Sequence, residues 1–204
     1  MQYILVILIA YLMGTSSMSY YLAKLNNVDI RNKGSKNLGA SNAMILMGWK
    51  AGILVGVHDA VKVMIPVFVI RYCFPEIVYG PELAGVAGVF GHVFPFYLGF
   101  KGGKGLASFI GMALGLHIGI GLIALGLLAF VTLVTDYIVL GTVTLIISVP
   151  VMLYLLHHDL AAVAVVLISS ALIAWKHREN YVRIYKGTEI RFRKANKGEY
   201  REKK

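Results

Sequence analysis

The sequence predicts an all-α integral membrane protein, a single polytopic domain over residues 1–204 with about seven transmembrane helices. Three observations carry that expectation. Of the 204 residues, 58% are hydrophobic and only 15% charged, with mean hydropathy +0.72; an average soluble domain has about 45–50% and about 25%. Six runs are apolar over lengths near the roughly 20 residues that a helix needs to cross hydrocarbon. The charge is lopsided: residues 176–204 hold eleven of the twenty Lys and Arg against four Glu. A water-soluble globule of this size cannot hide so much apolar surface, and intrinsic disorder requires low hydrophobicity. The single cysteine, Cys73, excludes a disulfide framework or a multi-cysteine metal site and is expected as an inert packing residue.

The runs are residues 3–23, 51–70, 83–100, 105–134, 138–156 and 160–175. Met1 leads almost directly into the first, without the basic region of a secretory signal peptide. Segment 24–50 holds five basic residues, so the positive-inside rule puts it and the tail 176–204 on the cytoplasmic side. An odd number of crossings must then separate an outside N-terminus from that tail, and six runs have the wrong parity. The thirty-residue run 105–134 is too long for one span; splitting it into two short helices or a re-entrant hairpin restores parity. Gly111, Gly115 and Gly119 recur within it every four residues and let helix backbones approach closely. His157 and His158, beside Asp159, read as interfacial residues on the outer side. Segments 24–50, 100–104 and 176–189 meet on the cytoplasmic face. The basic tail fits positive-inside charge near anionic headgroups; it shows no nucleic-acid-binding fold.

Those three polar segments hold the candidate chemistry. Gly91-His92-Val93-Phe94-Pro95 precedes Phe100-Lys101-Gly102-Gly103-Lys104-Gly105. Three glycines let backbone N–H groups approach an anion, and two lysines add charge. A helix beginning at Gly105 contributes unpaired N–H donors and a positive dipole end. A phosphate site is favoured over a plain interfacial turn with snorkelling lysines, although the spacing is not that of a Walker A loop. Gly34-Ser35-Lys36-Asn37-Leu38-Gly39-Ala40-Ser41-Asn42 offers hydroxyls, amides and a cation. It reads equally as a phosphate or hydroxyl site and as a polar loop with a helix N-cap at Ser41 or Asn42. In 177–189, His177 and Asn180 share one helical face and Glu179 and Arg183 another. Spacing alone favours a solvated amphipathic helix laced with ion pairs. Asp59 and Lys62, with His58, lie inside the second run, where ionisable groups are costly; an internal ion pair is at least as good a reading as a catalytic one. No Ser-His-Asp or Cys-His set and no zinc motif is present, so an enzyme here would work by positioning and charge stabilisation.

Together the segments resemble the bacterial acyl-phosphate:glycerol-3-phosphate acyltransferase family. The resemblance is carried by Gly91-His92-x-Phe94-Pro95 with Phe100-Lys101-Gly102-Gly103-Lys104-Gly105, by Gly34-Ser35-x-Asn37-x-Gly39-Ala40-x-Asn42, and by His177-x-x-Asn180-x-x-Arg183 with Glu189. It implies seven helices, an outside N-terminus and a cytoplasmic active site in a bacterial cell membrane. It also implies acyl transfer from acyl phosphate to the 1-hydroxyl of glycerol 3-phosphate, giving lysophosphatidic acid and phosphate. No coenzyme A and no metal or other cofactor is implied; the partners are the two substrates and membrane lipids. By matched position, Ser35, Lys104, His177 and Asn180 would be catalytic. Asn37, Asn42, His92, Lys101, Gly102, Gly103, Gly105 and Glu189 would bind substrate, with Glu189 bracing the third motif.

The chain departs from that pattern at four positions. Ile45 and Val63 stand where the family usually has Arg and Gly, and Val139 and Asp136 where it has Ser and often Arg. Losing one charge-assisted phosphate contact costs about 1.5–3 kcal/mol, roughly ten- to a hundredfold; Lys36, where many members have Gly, is positioned to offset it. Two other readings rest on these residues. Ile45 and Val139 suit a catalytically weak chain that holds a lipid phosphate, and Asp59 and Lys62 near a broken helix suit a transporter.

Overall fold

The computed structural model describes residues 1–157 and 159–200; His158, the side chain of His157 and the last four residues of the tail lie outside the described residues. Among the described residues the chain is all α-helix with one short 3-10 turn and no strand. The first run forms α1 (Gln2–Thr15) and α2 (Met18–Leu25), interrupted at Ser16 and Ser17. A short helix, α3 (Ala40–Met47), leads through Gly48 at φ +98° into α4 (Trp49–Cys73). Next come α5 (Gly80–Val93), α6 (Leu106–Leu116) and α7 (Ile118–Thr135). They are followed by α8 (Ile138–His157), α9 (Leu160–Lys176), α10 (Arg178–Tyr185) and α11 (Phe192–Asn196).

Four stretches are long and apolar enough to cross a membrane: Gln2–Leu25, Trp49–Cys73, Ile118–Thr135 and Ile138–Leu156. Leu160–Lys176, bent by 46° into Arg178–Tyr185, makes a fifth. The expected seven also needs α5 and α6. At 14 and 11 residues these extend about 21 and about 17 Å, short of a hydrocarbon core about 30 Å thick. The third run was expected to reach residue 100, but α5 ends at Val93 because Pro95 removes a donor and disfavours helix at Phe94. The long run 105–134 does divide, at His117. There the chain reverses: a Cβ on Gly121 would lie 2.7 Å from the Leu114 Cα, seven residues back. In a continuous helix such residues are about 10 Å apart.

The two short helices are the most buried. α5 packs on α1, α4, α6 and α9, and α6 on α4, α5 and α7. Large apolar side chains on α1, α4, α7 and α8 face outward, among them Ile4, Ile53, Phe130 and Leu155. That is the pattern of a bundle surrounded by lipid. Small residues bring the central backbones together. A Cβ on Gly14 would strike the Gly88 carbonyl, one on Gly91 the Tyr11 carbonyl, and one on Gly111 the Ala60 carbonyl. Gly111 and Gly115 thus pack as their spacing predicts, against α4; Gly119 meets only the His117 ring. Cys73 departs from expectation, lying exposed at the end of α4.

Gly111→Ala should destabilise the detergent-solubilised protein by about 1–3 kcal/mol, because only backbone movement relieves the overlap. Gly126→Ala, on the open face of α7 with nothing within 4 Å of the new methyl, should be neutral or stabilising by up to about 1 kcal/mol. Thermal unfolding of the two variants checks both.

Candidate active site

The polar segments converge at one end of the bundle. After α5 the chain turns through Phe96–Leu98 and runs back beneath the end of its own helix. Gly102 donates its N–H to the Val93 carbonyl at 3.0 Å and Gly103 donates to that of His92 at 3.1 Å. These two donors satisfy the open carbonyls at the end of α5. They are not the anion cradle that composition suggested. The glycines are needed for space: a Cβ on Gly102 would strike the His92 carbonyl, and one on Gly103 the His92 ring. The donors facing the cavity come from the next residues. Gly105, at φ +92°, caps α6, and Lys104, Gly105, Leu106 and Ala107 all line the cavity. The unpaired N–H groups of a helix N-terminus therefore open beside a lysine.

Lys104 is the first link of a side-chain chain. Its Nζ donates to Asn180 Oδ1, Asn180 Nδ2 donates to Glu189 Oε1 at 2.8 Å, and Arg183 Nε donates to Glu189 Oε2 at 2.7 Å. Glu189 thus braces the third motif as expected. Only the outer side of α10 fits the solvated-helix reading, with Glu179 3.9 Å from Arg183; Asn180 and His177 are 8% and 5% exposed. Burial pushes the Lys104 ammonium down to about 8, with the Arg183 guanidinium acting the same way and Glu189 opposing. Burial pushes His177 down to about 4, against the Ile173 carbonyl that accepts from it at 2.8 Å. A neutral imidazole with its Nδ1–H on Ile173 leaves Nε2 as an acceptor.

On the opposite wall the backbone N–H of Ser35 donates to Asn42 Oδ1 at 2.8 Å, and Asn42 Nδ2 donates to the Ile30 and Lys33 carbonyls. Asn42 is fully buried and lines neither cavity nor mouth, so it ties the Ser35 loop down and does not face a ligand. Nor is it a helix N-cap; Gly39 holds that position in α3. The Ser35 hydroxyl makes no hydrogen bond among the described residues. Behind this wall, Lys62 Nζ donates to Asp59 Oδ1 at 2.7 Å, to the Ser16 carbonyl at 2.6 Å and to His92 Nδ1 at 3.0 Å. The Ser16 carbonyl is open because α1 stops there. Lysine can only donate, so His92 Nδ1 accepts and Nε2 carries the proton. Asp59 and Lys62 are therefore an internal ion pair, as the structural reading of their spacing had it.

The inner cavity, about 130 Å³, is lined among others by Ser35, Asn37, Asp59, His92, Lys104, Gly105, His177, Asn180, Arg183 and Glu189. It opens into a mouth of about 840 Å³ lined by Lys101 and Gly102. Gly103 lines neither. The mouth also carries Arg31, Lys36, Lys176 and Arg178 against one acid, Glu179, a potential that draws anions inward. Lys36 sits there, exposed, and not in the inner cavity. Ile45, 2% exposed, and Val139 form an apolar inner wall with Ile138.

The family model described as Glycerol-3-phosphate acyltransferase matches residues 4–187. The chain belongs to that family. It is 35% identical to the glycerol-3-phosphate acyltransferase of Geotalea daltonii over 94% of this chain and 98% of that one. It is 33% identical to that of Aquifex aeolicus over 94% and 100%. Among solved structures, it matches PlsY (YgiH), an integral membrane glycerol 3-phosphate acyltransferase, in its glycerol 3-phosphate form. The TM-score is 0.89 at 32% identity, over 94% of this chain and 96% of that one. The lysophosphatidic acid form of the same protein matches with a TM-score of 0.86 at 31% identity. The chain is thus an integral membrane acyltransferase, as its motifs implied. Arg183 is the site residue that sequence reasoning undervalued: its i,i+4 spacing to Glu179 marked a surface pair, whereas its stronger bond is to Glu189.

Lys104 carries its charge below about pH 8 and loses it as pH rises through that value. Calorimetric affinity for inorganic phosphate, followed upward from about pH 7.5 where phosphate is mostly dianionic, should therefore fall across about pH 8. Lys104→Arg, charged throughout, should remove that dependence.

Proposed function

We propose that the protein transfers a fatty acyl group from acyl phosphate to the 1-hydroxyl of glycerol 3-phosphate, at the cytoplasmic face of a bacterial plasma membrane. The observation that carries this is the convergence of three sequence-distant segments on one cavity. That cavity presents two cations, a helix N-terminus and uncommitted hydroxyl and imidazole groups to the same space. Seven crossings with the N-terminus outside suit the charge of segments 24–50 and 176–204.

Lys104, Arg183 and the start of α6 hold the phosphate of glycerol 3-phosphate, while the Ser35 hydroxyl hydrogen-bonds substrate near the reacting carbonyl. Asn180 fixes Lys104, and His177 Nε2 accepts from the glycerol moiety, orienting the acceptor. The 1-hydroxyl oxygen attacks the acyl carbon, an ester C–O bond forms and the anhydride C–O bond to phosphate breaks. The hydroxyl proton passes to a phosphate oxygen, because the groups lining the cavity are weak or committed: burial weakens His177, His92 Nδ1 accepts from Lys62, Asp59 is held by Lys62, and Glu189 by Asn180 and Arg183. Acyl phosphate is already activated, which fits a site without a nucleophile of its own. An apolar groove of about 490 Å³ shares Ala40, Ser41 and Ile138 with the cavity and reaches outward to Trp49 and Ile53, which are 53% and 58% exposed. It suits the acyl chain, entering from the lipid.

Membranes containing the protein, given labelled glycerol 3-phosphate, should form lysophosphatidic acid with palmitoyl phosphate and none with palmitoyl-coenzyme A. No product with either donor, from inserted protein, would overturn the reading. Lys104→Ala and Asn180→Ala should each lower kcat/KM by about a hundredfold or more while the protein still inserts.

A further inference from the structure

Residues beyond the stretch 4–187 that the family model covers take part in the site. Two residues past Ile190, which lines the cavity, the chain is fastened to the end of α7. The Phe192 N–H donates to the Asp136 carbonyl and the Arg193 N–H to Asp136 Oδ1, both at 2.8 Å. The Arg193 guanidinium donates to the Leu133 carbonyl, also at 2.8 Å. Asp136 holds φ +67° at the end of α7, a conformation that Asp adopts more readily than most residues. Its carboxylate faces the first turn of α11, where negative charge and an acceptor are favourable. Behind it Ala195 is 2% exposed, so α11 is seated on the bundle and does not hang from it.

We propose that Asp136 is a positioning residue, fastening residues 190–196 as a strap that sets Glu189 and, through it, Asn180 and Lys104. The connection is short: Asp136 to Arg193, three peptide units back to Ile190, then Glu189, whose two oxygens are each taken by a site side chain. Among the described residues the Glu189 carboxylate is bonded to Asn180 and Arg183, both on α10, and the strap ties the chain just after it to the end of α7. The proposal rests on the reading of Lys104 as a phosphate-binding group.

The clean deletion is Asp136→Gly, which keeps the left-handed backbone and removes only the carboxylate. Asp136→Asn keeps an acceptor at the same place. In the full-length protein in membranes, Asp136→Gly should open residues 191–194 to trypsin faster than in the parent. It should also raise KM for glycerol 3-phosphate by about tenfold, with the loss of a well-placed charged contact. Asp136→Asn should stay near the parent in both. A merely destabilised protein would lose active enzyme and leave KM unchanged. Unchanged tryptic cleavage in Asp136→Gly would overturn the fastening, and faster cleavage with unchanged KM would overturn the positioning. Were the parent to form no lysophosphatidic acid, the functional reading would fail on its own. Calorimetric affinity for glycerol 3-phosphate, compared between parent and Asp136→Gly, would then replace KM and decide the strap separately.

Discussion

A lysine ammonium withdrawn from water has to be compensated, and the architecture around Lys104 is arranged to do that. One of its three donors goes to Asn180, whose amide in turn donates to Glu189, the carboxylate that also accepts from Arg183. A neutral amide between two charged groups lets the lysine be held without being neutralised, leaving donors and charge for an anion. The consequence of burial is a cation poised near the top of the physiological range and not far above it. The helix N-terminus at Gly105 adds fixed partial charge that needs no reorganisation during reaction.

The rest of the bundle serves to hold that arrangement at a membrane surface. α5 ends and α6 begins at the site, joined by the loop that carries Lys104, and the lipid-facing helices wrap this short central pair. Backbone-on-backbone packing at Gly14, Gly91 and Gly111 makes this central pair stiff. The Asp59–Lys62 pair works in the same direction. By donating to His92 and to the carbonyl freed where α1 breaks, Lys62 joins three helical segments at one point. An isolated charge at this depth would be costly, whereas an ammonium bonded at once to a carboxylate, a carbonyl and an imidazole is tolerated.

Much of this is legible in the sequence, and the rest is not for identifiable reasons. Composition gives the membrane, parity gives the division of the run 105–134, and the i,i+3 spacing gives the Asp59–Lys62 pair. The break at His117 has only a weak local signal, one polar residue in an apolar run; its Nδ1 accepts from the Ile120 N–H at 3.3 Å and caps α7. Nothing local signals the reversal. Gly102 and Gly103 illustrate how composition misleads. Glycine permits both approach to an anion and approach to a carbonyl or ring, and only three dimensions show that the partners are Val93 and His92. Asn42 misleads likewise, since an amide that binds a ligand and one that ties a loop look alike in sequence. The bond from Asp136 to Arg193 spans 57 residues, beyond the reach of any periodicity argument.

The central claim is that phosphate is held in the inner cavity by Lys104, Arg183 and the first turn of α6, and not by the glycines or the basic mouth. The most direct measurement is a high-resolution structure of the protein with glycerol 3-phosphate bound. The account predicts a phosphate group within hydrogen-bond distance of Lys104 Nζ and of the backbone N–H groups that open α6, with Asn180 still bonded to both Lys104 and Glu189. A phosphate seated on Lys36 and Lys101 in the mouth, with Lys104 making no contact to it, would contradict the account.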